Sequence, residues 1–494
     1  MTDFTDITRP VVASARKRTK IVATLGPATS TLEAVRGLVR AGAEIFRLNM
    51  SHGVHADHKQ RLDLVRQVSK DLDVPLAVLA DLQGPKIRTG RLAGDQAVEW
   101  KEGMQVVITV AACPEGTATR VGTTYAGLAD DATPGSFLLV DDGRMKLRVE
   151  RQAGDDLHCV VVVGGMLKNN KGINLPGIDV KTPSLSDKDL EDLQWAIDNK
   201  VDVIALSFVR TANDVRNLKD LIARAGSNIP VISKIEKPEA VENIDAILDV
   251  TDGIMVARGD LGIEISTQNL PTAQKTLIRR ANRKGKIVIT ATQMLESMID
   301  SPIPTRAETS DVANAVFDGT DAVMLSGETA YGKFPEDAVR EMARISNVAE
   351  KSTYITVTAP ERGAIPGLDS VAFALAASAE ALARDLPAQG IVVLNDPKGD
   401  IVRLLGKRRH NLPIVATCED EVTWRRAALQ WACMPVLAHG TKPETNGLFQ
   451  TGLFQAAVDQ TVKQGGLKIG DTVVVISRSG PHSVDSVSIR QIRA

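Results

Sequence analysis

Short apolar segments recur along the first two thirds of the chain, each closed by a polar or charged cluster and followed by an amphipathic stretch of helical length. In order they are KIVATLG (20–26), EIFRLNMS (44–51), LAVLADLQ (76–83), VDVIALSF (201–208), PVISKIE (230–236), GIMVARGDLG (253–262), GKIVITATQ (285–293) and AVMLSGET (322–329). Strands apolar on both faces need cover on both sides, which a parallel sheet wrapped by helices supplies. Eight such units make an α/β fold of the (β/α)8, or TIM-barrel, type, with a doubly wound open sheet as the competing arrangement. Polar residues gather at the C-terminal end of strand after strand, where a barrel collects them around one mouth. This favours the barrel.

The spacing breaks once. Residues 84–200 are too many for a helical crossover, and within them MQVVITVAA, SFLLVDDG, MKLRVE and HCVVVVGG are β runs split by Gly, Pro and Asp turns. They predict an inserted β domain, of β-barrel type, that leaves the barrel near Pro85, returns near Gly172 and hangs over the mouth as a lid. After Ala349 the pattern restarts with GIVVLN (390–395), LPIVATC (412–418) and TVVVISRSG (472–480) between helical stretches. The expected organisation is an N-terminal segment (1–17), the barrel (18–85 and 172–350), the lid (86–171) and a C-terminal α/β regulatory domain (351–494).

Charge adds little at the global level. Lys and Arg number 59 against 61 Asp and Glu, for a net charge of −2 over 494 residues, so neither nucleic acid nor an anionic membrane is an expected partner. No apolar run reaches about 18 residues, and the start MTDFTDITRP is acidic and polar where a signal peptide is basic then apolar. A cytoplasmic location is expected. The four cysteines show no CxxC spacing and read as reduced thiols.

The local chemistry lies at the strand ends: Arg47, Asn49 and Ser51; Asp81; Lys234 and Glu236; Arg258, Gly259 and Asp260; Thr292; Ser326 and Glu328. A polar residue ending one strand is ordinarily just solvated; this many around one mouth is harder to dismiss. Glu236 and Asp260 close neighbouring strands and offer the hard oxygen ligands that Mg2+ prefers. Lys234 shares a strand face with Glu236, and a buried lysine must be paired or functional. A phosphate bridging a divalent ion to that lysine would satisfy all three. The glycines of ARGDLGIE allow close backbone approach, and amides at a helix start can hold an oxyanion.

Two other motifs compete. Gly327 to Lys333 matches GxxxxGK, but Phe334 stands where a P-loop needs Ser or Thr, and Glu328 would repel phosphate. His52, His55 and His58 are spaced like metal ligands on a helix, and equally like a surface loop entering one.

Together, RLNMSHG (47–53), the GP-IRTG frame (84–90), SKIEKPEA (233–240), MVARGDLGIE (255–264), ATQMLESM (291–298), PTRAETSDVANAV (304–316) and DAVMLSGETAYGKFP (321–335) closely resemble the pyruvate kinase family, in family order over roughly residues 18–350. The resemblance implies transfer of the phosphoryl group of phosphoenolpyruvate to ADP, giving ATP and pyruvate, the final step of glycolysis. It implies that Glu236 and Asp260 hold Mg2+, with Mn2+ able to substitute, and that a second Mg2+ arrives with the nucleotide. Lys234 would neutralise charge on the transferring group and the enolate oxygen. Gly259, Asp260 and Thr292 would grip the substrate carboxylate, with Thr292 or a water near the carbon to be protonated. Arg47 would contact the phosphate, and Arg88, His52 and Lys171 would serve the nucleotide. The family is typically a homotetramer. A barrel lyase using Lys234 as a Schiff base and a non-catalytic sugar-phosphate sensor are the alternatives.

The sequence departs from the family in two places. The loop expected to bind fructose 1,6-bisphosphate is Asn395-Asp396-Pro397-Lys398-Gly399-Asp400, whose aspartates would repel it. KRRH (407–410), Arg425-Arg426 and SRSGPHS (477–483) could instead supply donors for AMP or a sugar monophosphate as effector, or be solvated surface charge. In members that require potassium, the position of Lys86 is typically Glu, and the ion lies near residues matching Asn49, Ser51, Asp81 and the carbonyl of residue 82. Here Asn49, Ser51 and Asp81 remain beside Leu82, Gln83 and Lys86, a set resembling the potassium-independent branch. The Lys86 ammonium is expected to stand in for K+, attracted by Asp81, so that K+ is not required and the old site is vestigial or weak.

Overall fold

The computed structural model describes residues 17–178, 180, 183–363, 365, 367–438, 448–478 and 485–493, apart from the side chains of 448–451. The eight apolar segments form a closed parallel barrel: β1 (Lys20–Thr24), β2 (Ile45–Asn49), β3 (Ala77–Asp81), β4 (Val203–Leu206), β5 (Val231–Ile235), β6 (Gly253–Ala257), β7 (Ile287–Ala291) and β8 (Ala322–Leu325). Each strand pairs with its successor and β8 closes on β1, which excludes the open sheet. Helices cover the outside because their sequences supply caps and one apolar stripe. Helix Arg306–Phe317 starts with a Thr305–Glu308 capping box, and helix Ala212–Arg224 buries Val215, Leu218 and Ile222 at helical spacing. Among the described residues no helix is long and apolar enough to cross a membrane.

The insertion is a separate β domain, as expected. It is a six-stranded sheet plus a separate two-stranded ribbon, Val98–Trp100 with Gly165–Leu167, around its own core of Trp100, Ile108, Leu138, Leu147 and Leu157. The four predicted runs fall on Gln105–Thr109, Phe137–Val140, Met145–Ala153 and Asp156–Val163. The unpredicted strands have two or three residues each, too few for a period to show.

The C-terminal unit is a five-stranded sheet of β9 (Gly390–Leu394), β10 (Ile414–Cys418), β11 (Cys433–Leu437), β12 (Thr472–Ser477) and β13 (Ser486–Gln491), in the order β11-β10-β9-β12-β13 with β13 antiparallel. The sequence pattern had shown β9, β10 and β12. β11 was hidden by Pro435 and β13 by its polar residues; both are edge strands, where proline and polar side chains are tolerated.

The C-terminal unit closes the barrel floor. Leu429 packs with the interior residues Val22, Ile45, Ala77, Val203 and Met255. Around it, acidic residues preceding the even strands accept backbone N–H bonds from the strand before: Asp202 from Val78 and Asp321 from Val288, each at 2.8 Å. Cations of the C-terminal unit meet the same carboxylates. Arg425 Nε lies 2.8 Å from Asp202, Arg409 2.9 Å from Asp321, and Lys407 bonds both Asp321 and Asn282. Arg426 donates to the Asp202 carbonyl and Arg408 to Glu380. Of the donors read from KRRH and Arg425-Arg426 as an effector pocket, Lys407, Arg409 and Arg425 are therefore interior pins claimed by buried carboxylates. Of SRSGPHS, Arg478 pairs with Asp369 and Asp485, and residues 479–483 lie outside the described residues, as do residues 1–16 of the N-terminal segment.

Candidate active site

The barrel register brings the strand-end residues together. Asn49 lies opposite Asp81 across β2 and β3, and Lys234 on β5 lies opposite Met255 on β6, one turn of chain before Asp260. The centre is a chain of buried charges. Asp81 Oδ2 accepts a 2.7 Å bond from Arg47 Nε, and Asp81 Oδ1 lies 3.3 Å from Lys234 Nζ. Lys234 Nζ is also 3.0 Å from Glu236 Oε1 and donates to Ser207 Oγ at 2.8 Å. Glu236 Oε2 accepts the Phe208 amide at 2.7 Å, from a residue held at φ +52°. That left-handed conformation is costly for a phenylalanine, and here it aims an N–H at a carboxylate.

The electrostatics follow from this crowding. Burial opposes the charge on Lys234, but Asp81 and Glu236 outweigh it and hold the ammonium well above the ordinary lysine range. Burial likewise opposes ionisation of Asp81, yet Lys234 and Arg47 pull it below the usual carboxylate range. Glu236 goes the other way: burial, with the Asp260 charge adding to it, pushes its carboxyl up despite Lys234. A Glu236 carboxyl raised by burial and by the charge of Asp260 offers, with Asp260, hard oxygens that fit a divalent cation. With two protein carboxylates, water and substrate oxygens would complete the coordination of such an ion. That is the donor set Mg2+ accepts.

Thr292 follows β7 at φ +66°, strained for a β-branched residue. Its hydroxyl accepts the Gly259 amide at 2.7 Å and donates to the Ala291 carbonyl at 2.7 Å. Arg258 clamps the same loop, donating to the Thr292 carbonyl at 3.0 Å and meeting Asp311 at 3.2 Å.

The lid side is looser. Arg88 forms a backbone bridge with Gly172 and donates from its guanidinium to the Asn170 carbonyl at 3.2 Å. His52 is exposed; partial burial lowers its proton affinity, and the charges of Arg88, Arg47 and Lys86 lower it further, so these four share one corner. Lys171 is turned into the insertion, 2.7 Å from Asp141. A cleft between insertion and barrel is lined by Lys86, Phe208, Arg210, Lys237 and Asp260 among others.

The structure corrects one pairing. Asp81 is taken by Arg47 and Lys234, and Lys86 instead reaches along the insertion, its Cε 3.3 Å from where a Cβ on Gly172 would lie. Two of the four expected potassium oxygens already accept protein donors: the Leu82 carbonyl from Ser207 at 2.6 Å and Asn49 Oδ1 from the Ser51 amide at 3.2 Å.

The competing motifs separate. Glu328 is buried, its oxygens accepting the Leu295 and Ser326 amides at 3.1 and 2.7 Å, so GETAYGK forms no phosphate loop. His55 bonds Asp192 at 2.7 Å, and His58 is buried against Trp195 with its proton affinity lowered to about 4 by burial, so the histidines do not converge on one ion. Ser207, Phe208, Lys237 and Glu264 were missed as site residues. Ser207 directly follows the apolar strand Val203–Leu206, and a polar residue closing an apolar strand was the available signal.

Comparison with known proteins agrees with this architecture. The family model described as pyruvate kinase, barrel domain, matches residues 16–339, and that described as pyruvate kinase, alpha/beta domain, matches 373–491. The chain is 44% identical over 474 residues to pyruvate kinase of Mycobacterium tuberculosis, covering 96% of this chain and 97% of that one. It is 44% identical over 485 residues to pyruvate kinase 2 of Synechocystis sp., covering 97% and 80%, and 41% identical over 461 residues to pyruvate kinase of Staphylococcus aureus, covering 93% and 77%. With both domain models spanning most of the chain and the Mycobacterium tuberculosis relative aligned nearly end to end, this protein belongs to the pyruvate kinase family.

Proposed function

We propose that this chain transfers the phosphoryl group of phosphoenolpyruvate to ADP at the barrel mouth, giving ATP and pyruvate. The observation that carries the reading is Lys234, a buried ammonium between Asp81 and Glu236 with Asp260 beside them. In the reaction the bond from phosphorus to the enol oxygen breaks, a bond to a β-phosphate oxygen of ADP forms, and the enolate takes a proton at its terminal carbon. A loose phosphoryl-transfer transition state needs fixed cations and alignment more than covalent catalysis.

Lys234 and Arg47 supply those cations from rigid strand ends, both held on Asp81. Pyruvate kinases use Mg2+; in this chain Glu236 and Asp260 would hold it, and it would neutralise oxygens of the phosphoryl group. Gly259, Asp260 and Thr292 bind the substrate carboxylate, and the Thr292 hydroxyl or a water beside it serves the proton. Arg88, His52 and Lys171 bind the nucleotide, for which Lys171 must leave Asp141. The insertion at 86–171 acts as a lid that keeps water from the phosphoryl group. A Schiff-base lyase would need a neutral lysine, and Lys234 is held strongly protonated.

Turnover without K+ belongs to the same proposal. Lys86 adds its charge to the corner shared by Arg47, Arg88 and His52, where a monovalent ion would otherwise supply it. The C-terminal unit is the regulatory one and the assembly a homotetramer. An AMP or sugar-monophosphate effector would find fewer donors than the sequence suggested, because Lys407, Arg409 and Arg425 are buried. The test is a coupled assay of the purified protein with phosphoenolpyruvate, ADP and Mg2+ in tetramethylammonium buffer. ATP-linked pyruvate formation at the same rate with and without added K+ is expected; no ATP refutes the activity, and rescue by K+ refutes the independence.

A further inference from the structure

Glu264 closes the short helix Arg258–Glu264, which follows β6 and carries Asp260. Its side chain is 1% exposed, and one oxygen, Oε1, accepts both Lys237 Nζ at 2.6 Å and Asn174 Nδ2 at 3.1 Å. Lys237 directly follows Glu236 in the chain. Asn174 lies on the strand Ile173–Asn174, by which the insertion returns to the barrel, paired with Val140 and Leu139. A single atom thus ties the segment bearing Glu236, the helix bearing Asp260 and the root of the insertion.

Such a pair contributes little net stability, because desolvating both charges offsets much of their attraction. Its consequence is positional. Lys237 and Asp260 line the same cleft, and Asp260 is the acidic residue in that lining. If the Glu264 carboxylate were removed, the part-buried Lys237 ammonium would be left without its partner and drawn toward Asp260, where it would compete with a metal ion.

We propose that Glu264 is a positioning residue with two effects: it holds Lys237 away from Asp260, keeping the Glu236–Asp260 pair open to a divalent cation, and it anchors the return strand of the insertion to the same helix. The inference rests on the reading of Glu236 and Asp260 as metal-binding carboxylates.

The test uses the full-length protein with Mn2+ alone as probe, titrated by electron paramagnetic resonance, together with hydrogen exchange over residues 86–92 and 171–175. Glu264→Ala should weaken Mn2+ binding about tenfold, as losing an outer-shell partner of a metal site does, and should speed exchange in the return strand. Adding Lys237→Gln to Glu264→Ala should bring Mn2+ binding back to within about twofold of the parent, since the competing cation is gone, while exchange stays fast. Asn174→Ala should speed exchange and leave Mn2+ binding unchanged. If Glu264→Ala does not fold, Glu264→Gln removes the charge at the same volume and is tested with the same Lys237→Gln rescue. Unweakened Mn2+ binding in the charge-removing variant, or weakened binding that Lys237→Gln does not rescue, would overturn the proposal. Failure of the underlying reading looks different: the parent protein would bind no Mn2+, or Glu236→Gln would bind it as the parent does.

Discussion

Replacing Lys234 by Met keeps the length of the side chain and removes its charge. The fold should survive, because Asp81 retains Arg47 at 2.7 Å and Glu236 retains the Phe208 amide at 2.7 Å. The stability loss should therefore stay below the roughly 3–5 kcal/mol expected when a buried charge is wholly orphaned. Catalysis should suffer far more. Removing one preorganised donor to developing negative charge costs about 10²–10³ in kcat, and a full cation on a transferring phosphoryl group is worth about 10³–10⁵. A fall of at least about 10³ is expected, with KM for phosphoenolpyruvate changing much less, since the interaction is strongest in the transition state. Mn2+ should still bind, with its pH dependence moved upward, because the Lys234 charge that holds down the proton affinity of Glu236 is gone. The assay is ATP formation under saturating substrates beside an Mn2+ titration. A kcat within about tenfold of the parent, with Mn2+ binding intact, would refute the role of Lys234.

Other outcomes follow from the same contacts. Asp321→Asn should lower stability by about 3–5 kcal/mol in urea, because it strands Lys407 and Arg409 at 1% side-chain exposure; Lys407→Met should cost less, since Asp321 keeps Arg409, and the reverse order would contradict the account of the floor. Burial, only partly offset by Asp321, lowers the Lys407 pKa to about 8 in the folded protein, below the ordinary lysine value that the unfolded chain keeps. Between about pH 8 and 10.5 the unfolded state binds more protons, so stability from this group rises with pH, and the gap in urea midpoint between the parent and Lys407→Met should widen over that window and stay flat below it. Lys86→Glu removes the built-in cation and should make turnover depend on K+; equal activity of that variant without K+ would remove Lys86 from the account.

The barrel was legible because its strands are apolar on both faces and each ends in a polar cluster, a pattern local in sequence. The charged mouth was legible for the same reason: Lys234 and Glu236 are two residues apart at the end of one strand, and Asp260 lies in the helix that directly follows the next. What escaped depends on long-range contact. KRRH looks like surface charge until Asp321, 86 residues away from Lys407 in the chain, is found beneath it. Lys86 and Asp81 are close in sequence, but Arg47 from the neighbouring strand β2 and Lys234 from β5, two strands along the barrel, reach Asp81 and leave Lys86 to the insertion. Glu264 reads as an ordinary helix-end carboxylate, and its importance appears only once Lys237 and Asn174 converge on it.

The central claim is that this mouth passes phosphorus from an enol oxygen to ADP and not to water. Phosphorus NMR of the purified protein with phosphoenolpyruvate, ADP and Mg2+ follows that atom directly. The account predicts that the phosphoenolpyruvate resonance is replaced by the γ-phosphate of ATP, one for each pyruvate formed. Phosphorus appearing as inorganic phosphate, or remaining in phosphoenolpyruvate, would contradict it.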